Sequence, residues 1–185
     1  MALTLKRTRR LALTEGITAG ILFGTASIFI RFIKQLDTFS IAFWRLVIAS
    51  AILTLILAAI RKNLRFSSIA RNLKDLTILG IFLGLHFIFF VSAVKDTTIL
   101  NATVLVNTTP IFSMLISSFL FKIKPSRLAL FGLVISFSGA CIIAYAETSS
   151  GSFSPNIKGD LEAVLAAIVE AFYLNFGRKT RSQIP

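Results

Sequence analysis

One cysteine, one histidine and eight acidic side chains are all that this 185-residue chain offers for redox, metal or acid-base chemistry. The single Cys141 excludes an internal disulfide and a thiolate metal cluster, and reads as a small packing residue. The lone His86 cannot build a zinc site or an H-E-x-x-H helix. Neither a G-x-S-x-G elbow nor a phosphate loop ending in G-K-S/T occurs, so no nucleophile or ATP-binding segment is visible. Asp37, Asp75, Asp96 and Asp160 are isolated from one another, which removes paired-carboxylate and magnesium-diphosphate chemistry. The chain is therefore expected not to be an enzyme, and to hold neither cofactor nor metal. Charged residues make up only 15%, where soluble domains carry about a quarter.

Hydrophobic residues fill the gap, at 55% with 18 Phe and a mean hydropathy of +0.82. They fall into six stretches near bilayer length, predicted as helices over Glu15–Ile33, Phe39–Ile60, Asp75–Val94, Thr98–Phe121, Arg127–Ala146 and Gly159–Gly177. The cations fall on alternate connections. Lys6, Arg7, Arg9 and Arg10 precede the first span, and Arg61, Lys62, Arg65, Arg71 and Lys74 lie between the second and third. Lys122, Lys124 and Arg127 separate the fourth and fifth, and Arg178, Lys179 and Arg181 follow the sixth. These segments hold fifteen of the 20 basic residues, which places both termini in the cytoplasm of a cell (inner) membrane by the positive-inside rule. The formal charge of +12 is thus explained without nucleic acid, for which no basic stripe with interleaved aromatics exists. The first apolar run exceeds a signal-peptide core and five more follow, so it reads as a retained helix.

Shifting the chain by 147 positions lays Ala19, Ile21, Phe29 and Arg31 on Ala166, Ile168, Phe176 and Arg178, with Lys34 on Arg181. A repeat of five helices puts its second copy into the membrane upside down, an architecture of transporters with a site near midplane. The segments GILFGTASIFIRF, FWRLVIASAIL, SAVKDTTILNATVLVNTTPIFSMLISSFLF, LALFGLVISFSGACIIAYA and LEAVLAAIVEAFYLNFGRKTRS together resemble the EamA-type branch of the drug/metabolite transporter superfamily. That resemblance implies ten helices in two five-helix repeats. The expected fold is all-α, a polytopic membrane bundle of six transmembrane helices forming half of such an inverted repeat. Residues 1–14 would be a basic cytoplasmic amino terminus, 15–146 the first repeat, 147–158 an outer loop, and 159–185 the first helix of a truncated second repeat. One departure stands out: the family segment like LGERL is FKIKPS here, without an acid.

Candidate pathway residues follow from what hydrocarbon penalises. A charged group there costs at least about 2.5–3.5 kcal/mol, so buried ionisable residues are functional candidates. Arg45, beside Trp44 in the second span, is a substrate or gating residue, or an anchor that snorkels to Asp37 or lipid phosphate. His86, among Phe82, Phe87, Phe89 and Phe90, binds a proton or donates one interhelical hydrogen bond. Glu170, one turn from Tyr173 and near Asn175, must be protonated, paired or wet. The fourth span is the most polar, with Asn101, Thr103, Asn107, Thr108 and Thr109 before Pro110. Thr103, Asn107 and Pro110 share one face, Asn101 and Thr108 an adjoining one, and the proline frees the Val106 carbonyl. This stripe is the expected pathway lining. Gly16, Gly20 and Gly24, with Gly80 and Gly84, are expected to seat helices closely in the bundle or in a homodimer face.

Two functions fit. The first is a secondary transporter of a small organic metabolite or drug, working by alternating access, with the lipid bilayer, the solute and a second half-transporter or homodimer as partners. The second is a nonfunctional or accessory membrane fragment that needs a missing second half.

Overall fold

The computed structural model describes residues 2–59, 66–148 and 156–183. Among them the backbone forms helices and no strand: α1 (Ala2–Phe32), α2 (Thr38–Ala59), α3 (Phe66–Arg71), α4 (Leu73–Asp96), α5 (Ile99–Val106), α6 (Thr109–Leu120), α7 (Arg127–Thr148) and α8 (Ile157–Gln183). Arg61, Lys62 and Arg65, and most of the expected outer loop, lie outside the described residues.

Among the described residues four segments are long and apolar enough to cross a membrane: Leu11–Phe32, Thr38–Ala59, Leu73–Asp96 and Ile99–Leu120. The fifth expected span, α7, is apolar along Arg127–Gly139. The sixth, α8, is interrupted by Glu170 and charged at both ends. Its weak apolarity has a physical reason in its position. α8 packs most extensively against α4 and then against α6 and α5, so protein rather than lipid covers much of it.

Two boundaries differ from expectation. α1 starts at Ala2 rather than Glu15, because Lys, Arg, Leu and Ala before Gly16 are good helix formers and no proline interrupts them. The span expected as one helix over Thr98–Phe121 is two helices, broken at Asn107–Thr108. Pro110 has no amide proton to give Val106, so the ladder loses a rung there. Side chains replace it: the Thr109 hydroxyl lies 2.7 Å from the Val106 carbonyl, and Thr108 donates to the Leu105 carbonyl at 2.6 Å. The helix then restarts with proline in its first turn, where its fixed φ suits the new start.

The core lies where α4 meets α8. Phe90, Val91, Ala93 and Val94 of α4 pack with Ala163 and Ala166 of α8, Ala102 and Val106 of α5, Ile30 of α1, and Ile41 and Ala42 of α2. Ala163, Ala167 and Ala171 recur every four residues on α8 and are fully buried, a small-residue ridge that lets two backbones approach. The glycines expected to do this do not. A Cβ built on Gly16, Gly20, Gly24, Gly80 or Gly84 meets no atom within 4 Å, so close packing within this chain rests on the alanines instead. The outer faces of α1, α2 and α7 carry many exposed large hydrophobics, as surfaces facing lipid or further helices do.

α6 ends in a left-handed turn. The Ile123 amide reaches back to the Ser117 carbonyl at 3.1 Å, and Lys122 between them holds φ 54°. A side chain is strained in that region and glycine is not, so Lys122→Gly is expected to raise stability by about 1 kcal/mol. An unchanged or lower thermal midpoint in detergent would show that the strain is not there.

Candidate functional site

Three helices bring one polar group each to the middle of the bundle. Glu170 stands thirteen residues from either end of α8, His86 is near the centre of α4, and Thr109 lies at the break between α5 and α6. The Thr109 hydroxyl is 2.8 Å from Glu170 Oε2, and His86 Nδ1 is 3.9 Å from the same oxygen. His86 Nδ1 also meets the Ala166 carbonyl at 3.1 Å. A carbonyl only accepts, so the ring proton sits on Nδ1 and Nε2 is left as an acceptor in the neutral ring. Phe87 edge-on and Phe90 in parallel fix the imidazole plane.

Thr109 carries the chemistry of this cluster, because one hydroxyl faces two acceptor groups. It has a single proton and two lone pairs. When Glu170 is ionised, Thr109 must donate to the carboxylate, and the Val106 carbonyl loses its donor. When Glu170 is protonated, the acid donates to Thr109 Oγ1, and the hydroxyl is free to close the Val106 carbonyl. Proton occupancy at Glu170 is thereby tied to the hydrogen bonding of the broken span. Thr109→Val removes both bonds without changing size and is expected to cost about 1–2 kcal/mol, whereas Thr109→Ser retains stability. Thermal unfolding in detergent checks this, and equal midpoints for the two variants would contradict it.

Below this cluster, toward the end where α4 begins, Asn175 Nδ2 donates to the Ser113 hydroxyl at 2.8 Å and to the Ser113 and Ala171 carbonyls. Ser117 closes the group by donating to Asn175 Oδ1 at 2.6 Å. Further out, Phe82 stacks on Phe172 and Phe176. Phe82, Phe121 and Phe176 line a cavity of 580 Å³ whose rim holds Lys74, Asp75 and Thr180. A neighbouring cavity of 390 Å³ includes Tyr173.

The opposite end is tied shut. Gly159 sits so close to the α4 terminus that an added Cβ would lie 2.7 Å from the Thr97 amide nitrogen and 2.8 Å from the Asp96 carbonyl carbon. Thr97 donates to Asp160 at 2.8 Å and Lys158 to Asp96 at 2.6 Å. The Asp96 and Glu162 carboxylates hold the Lys158 ammonium above the usual lysine range, Asp96 contributing most. Arg31 at the end of α1 donates to the Val94, Lys95 and Thr97 carbonyls, neutralising the exposed carbonyl end of α4. Lys95 reaches the Leu36 carbonyl in the α1–α2 turn.

The sequence candidates are redistributed by this geometry. Glu170 and His86 come together. Arg45 lies over the Phe87 ring, 4.6 Å from its centroid, and forms no ion pair with Asp37. Asp37 instead accepts from the Ser40 amide at 3.1 Å, and hydrogen bonds from Ser40 hold its carboxyl below the usual aspartate range. Trp44 is exposed and edge-on to Phe43. In the polar stripe of the fourth span, Thr103 and Thr108 bond carbonyls three or four residues back in the same span. The backbone amide of Asn101 bonds Thr98, and Asn107 and Pro110 are exposed. Ser113, Ser117 and Gly159 are added by the structure, which also pairs Thr109 with Glu170 and Asn175 with Ser113 and Ser117. Thr109 had a legible signal, a hydroxyl directly before a span-breaking proline, and the alanine spacing of α8 marked it as an interior helix.

Residues 11–145 match the model of the EamA-like transporter family. A protein of Archaeoglobus fulgidus described as an uncharacterized transporter is 33% identical over 91% of this chain and 56% of its own length. The uncharacterized transporter YdfC of Bacillus subtilis is 30% identical over 74% of this chain and 43% of its own. The chain spans about half the length of these curated relatives. No solved structure matches it significantly.

Proposed function

The chain belongs to the EamA-like transporter family, and from that premise we propose that it serves a secondary transporter moving a small organic solute by alternating access. The observation that carries the proposal is the Thr109–Glu170–His86 cluster: a buried histidine and a half-buried glutamate at the midpoints of helices, beside a broken span. Intramembrane groups of this kind mark ion and substrate paths, and broken helices line them. The shut end at Gly159 and the aromatic cavities at the other end fit a state open to one side only. The basic connections support a cytoplasmic placement of the open end. In this reading α7 and α8 complete six spans, and residues 159–185 open the second, inverted repeat.

Purified chain in proteoliposomes, offered a metabolite mixture under an imposed proton gradient and read by mass spectrometry, tests the function. Accumulation of one solute class supports it. Uptake that appears only on adding a second half-transporter would favour the accessory reading instead. Orientation is tested separately by tagging the connection between α2 and α4, and exposure of that tag to the exterior would reverse the assignment.

A further inference from the structure

Arg45 is the only charged residue of α2, and its surroundings leave its charge unanswered. The guanidinium lies 4.6 Å from the Phe87 centroid and 5.8 Å from that of Phe90. Phe90 is fully buried and is held from its other contacts by Phe23 at 5.4 Å and by the parallel His86 ring at 6.1 Å. This aromatic floor orients the cation and attracts it through the ring faces, but a ring face does not take a guanidinium N–H in the way an oxygen does. Nη1 is buried with no hydrogen-bond partner. A buried charge without an opposite charge is a cost that packing alone does not offset.

Among the described residues none of the acids pairs with it: Asp37 is with Ser40, Asp96 with Lys158, Asp160 with Thr97 and mid-bundle Glu170 with Thr109, while Glu162 meets Lys158 at 3.7 Å through Oε1 and keeps Oε2 unpartnered. Snorkelling does not answer the charge either. Phe87 is nine residues from the α4 terminus at Asp96, about 13 Å along the axis, and a side chain stacked at that depth is below the headgroup layer. A planar guanidinium presents paired donors matched to a carboxylate or phosphate.

We infer that Arg45 is the receptor for an oxyanion, and that the transported solute is a small organic anion bearing a carboxylate or phosphate. The inference rests on the transporter reading above and names its substrate class. Phe87 and Phe90 keep the guanidinium rigid and in place while leaving donors unpaired for the incoming group, and His86 stacks behind Phe90 on the path to Glu170.

The test is calorimetric titration of the detergent-solubilised chain at fixed ionic strength with benzoate and phenyl phosphate, against neutral benzamide and cationic benzylamine. At least one oxyanion is expected to bind about tenfold or more tightly than benzamide. Arg45→Gln is expected to abolish that preference. Arg45→Lys keeps the charge, so it retains the preference at an affinity several-fold weaker, for want of the two-pronged geometry. Unfolding followed through Trp44, the sole tryptophan, identifies any variant that fails to fold, and the lysine variant then decides. Equal binding of benzoate and benzamide, an undiminished preference in Arg45→Gln, or full affinity in Arg45→Lys overturns the inference. Displacement of bound benzoate by phosphatidylglycerol in the micelle would assign the site to lipid phosphate and overturn it too. Vesicle uptake of a neutral solute, equal in the wild type and Arg45→Gln, would sink this inference and leave transport standing. Benzoate binding without uptake of any solute would overturn the transporter reading and leave only the oxyanion receptor at Arg45.

Discussion

Gly159→Ala is expected to open the end of the bundle at which α4 and α8 meet, and Gly159→Val to open it further. The new Cβ would lie 2.7 Å from the Thr97 nitrogen and 2.8 Å from the Asp96 carbonyl carbon. Those are backbone atoms that cannot rotate away, so α8 must move. Movement separates Thr97 from Asp160 and Lys158 from Asp96, now joined at 2.8 and 2.6 Å. Overpacking of this kind costs about 1–3 kcal/mol. If the alternate state lacks the close approach, only the shut state bears that cost, and the population of the open state rises about five- to 150-fold. The measurement is the rate at which a bulky, membrane-impermeant thiol reagent modifies a cysteine placed at Ala163, which is buried beneath this contact, in a Cys141→Ser background. Labelling that is as slow in both glycine variants as in the parent would show that this contact does not gate access.

The second large effect is at Glu170. Glu170→Gln keeps the size of the side chain and an oxygen for the Thr109 hydroxyl, but removes the proton exchange on which the Thr109 alternation depends. Proton-driven accumulation of solute should fall by about tenfold or more, within the usual range of coupling free energies. Solute exchange without a gradient should stay near the parental rate, because the binding site and the moving helices are untouched. Comparing the two assays in proteoliposomes separates coupling from binding. A glutamine variant that still concentrates solute against a proton gradient would remove Glu170 from the coupling step. Glu170→Ala is a useful contrast, since it leaves Thr109 with one acceptor fewer and is expected to lose stability by about 1–3 kcal/mol as well.

These two residues differ in how far the linear chain announced them. Glu170 was conspicuous as an acid inside an apolar stretch. Its partner Thr109 lies 61 positions away, and the carbonyl that His86 meets lies 80 away. No periodicity within one helix reports which face of another helix it will meet. The polar stripe of the fourth span shows the converse case. Thr103 and Thr108 satisfy carbonyls of their own span, because a hydroxyl on a helix finds a backbone oxygen one turn back before it finds another helix. The glycine series makes no close approach within this chain, for a related reason. Small residues permit close approach without requiring it, and α8 supplied alanines where the contact formed.

Apolar runs of bilayer length, the distribution of cations among the connections and the position of Pro110 are local properties of the chain. They therefore sufficed to establish a helical membrane protein, the family resemblance and the backbone bond lost at Val106, though not the division of that span into two helices. Pairing is not local. That Thr109 faces Glu170, that Gly159 abuts the α4 terminus and that Arg45 rests on Phe87 without an oxygen partner were decided by the tertiary structure alone. Helix rotation and approach are set by the sum of many small packing contacts across elements distant in sequence, and a displacement of an ångström separates a hydrogen bond from an empty gap.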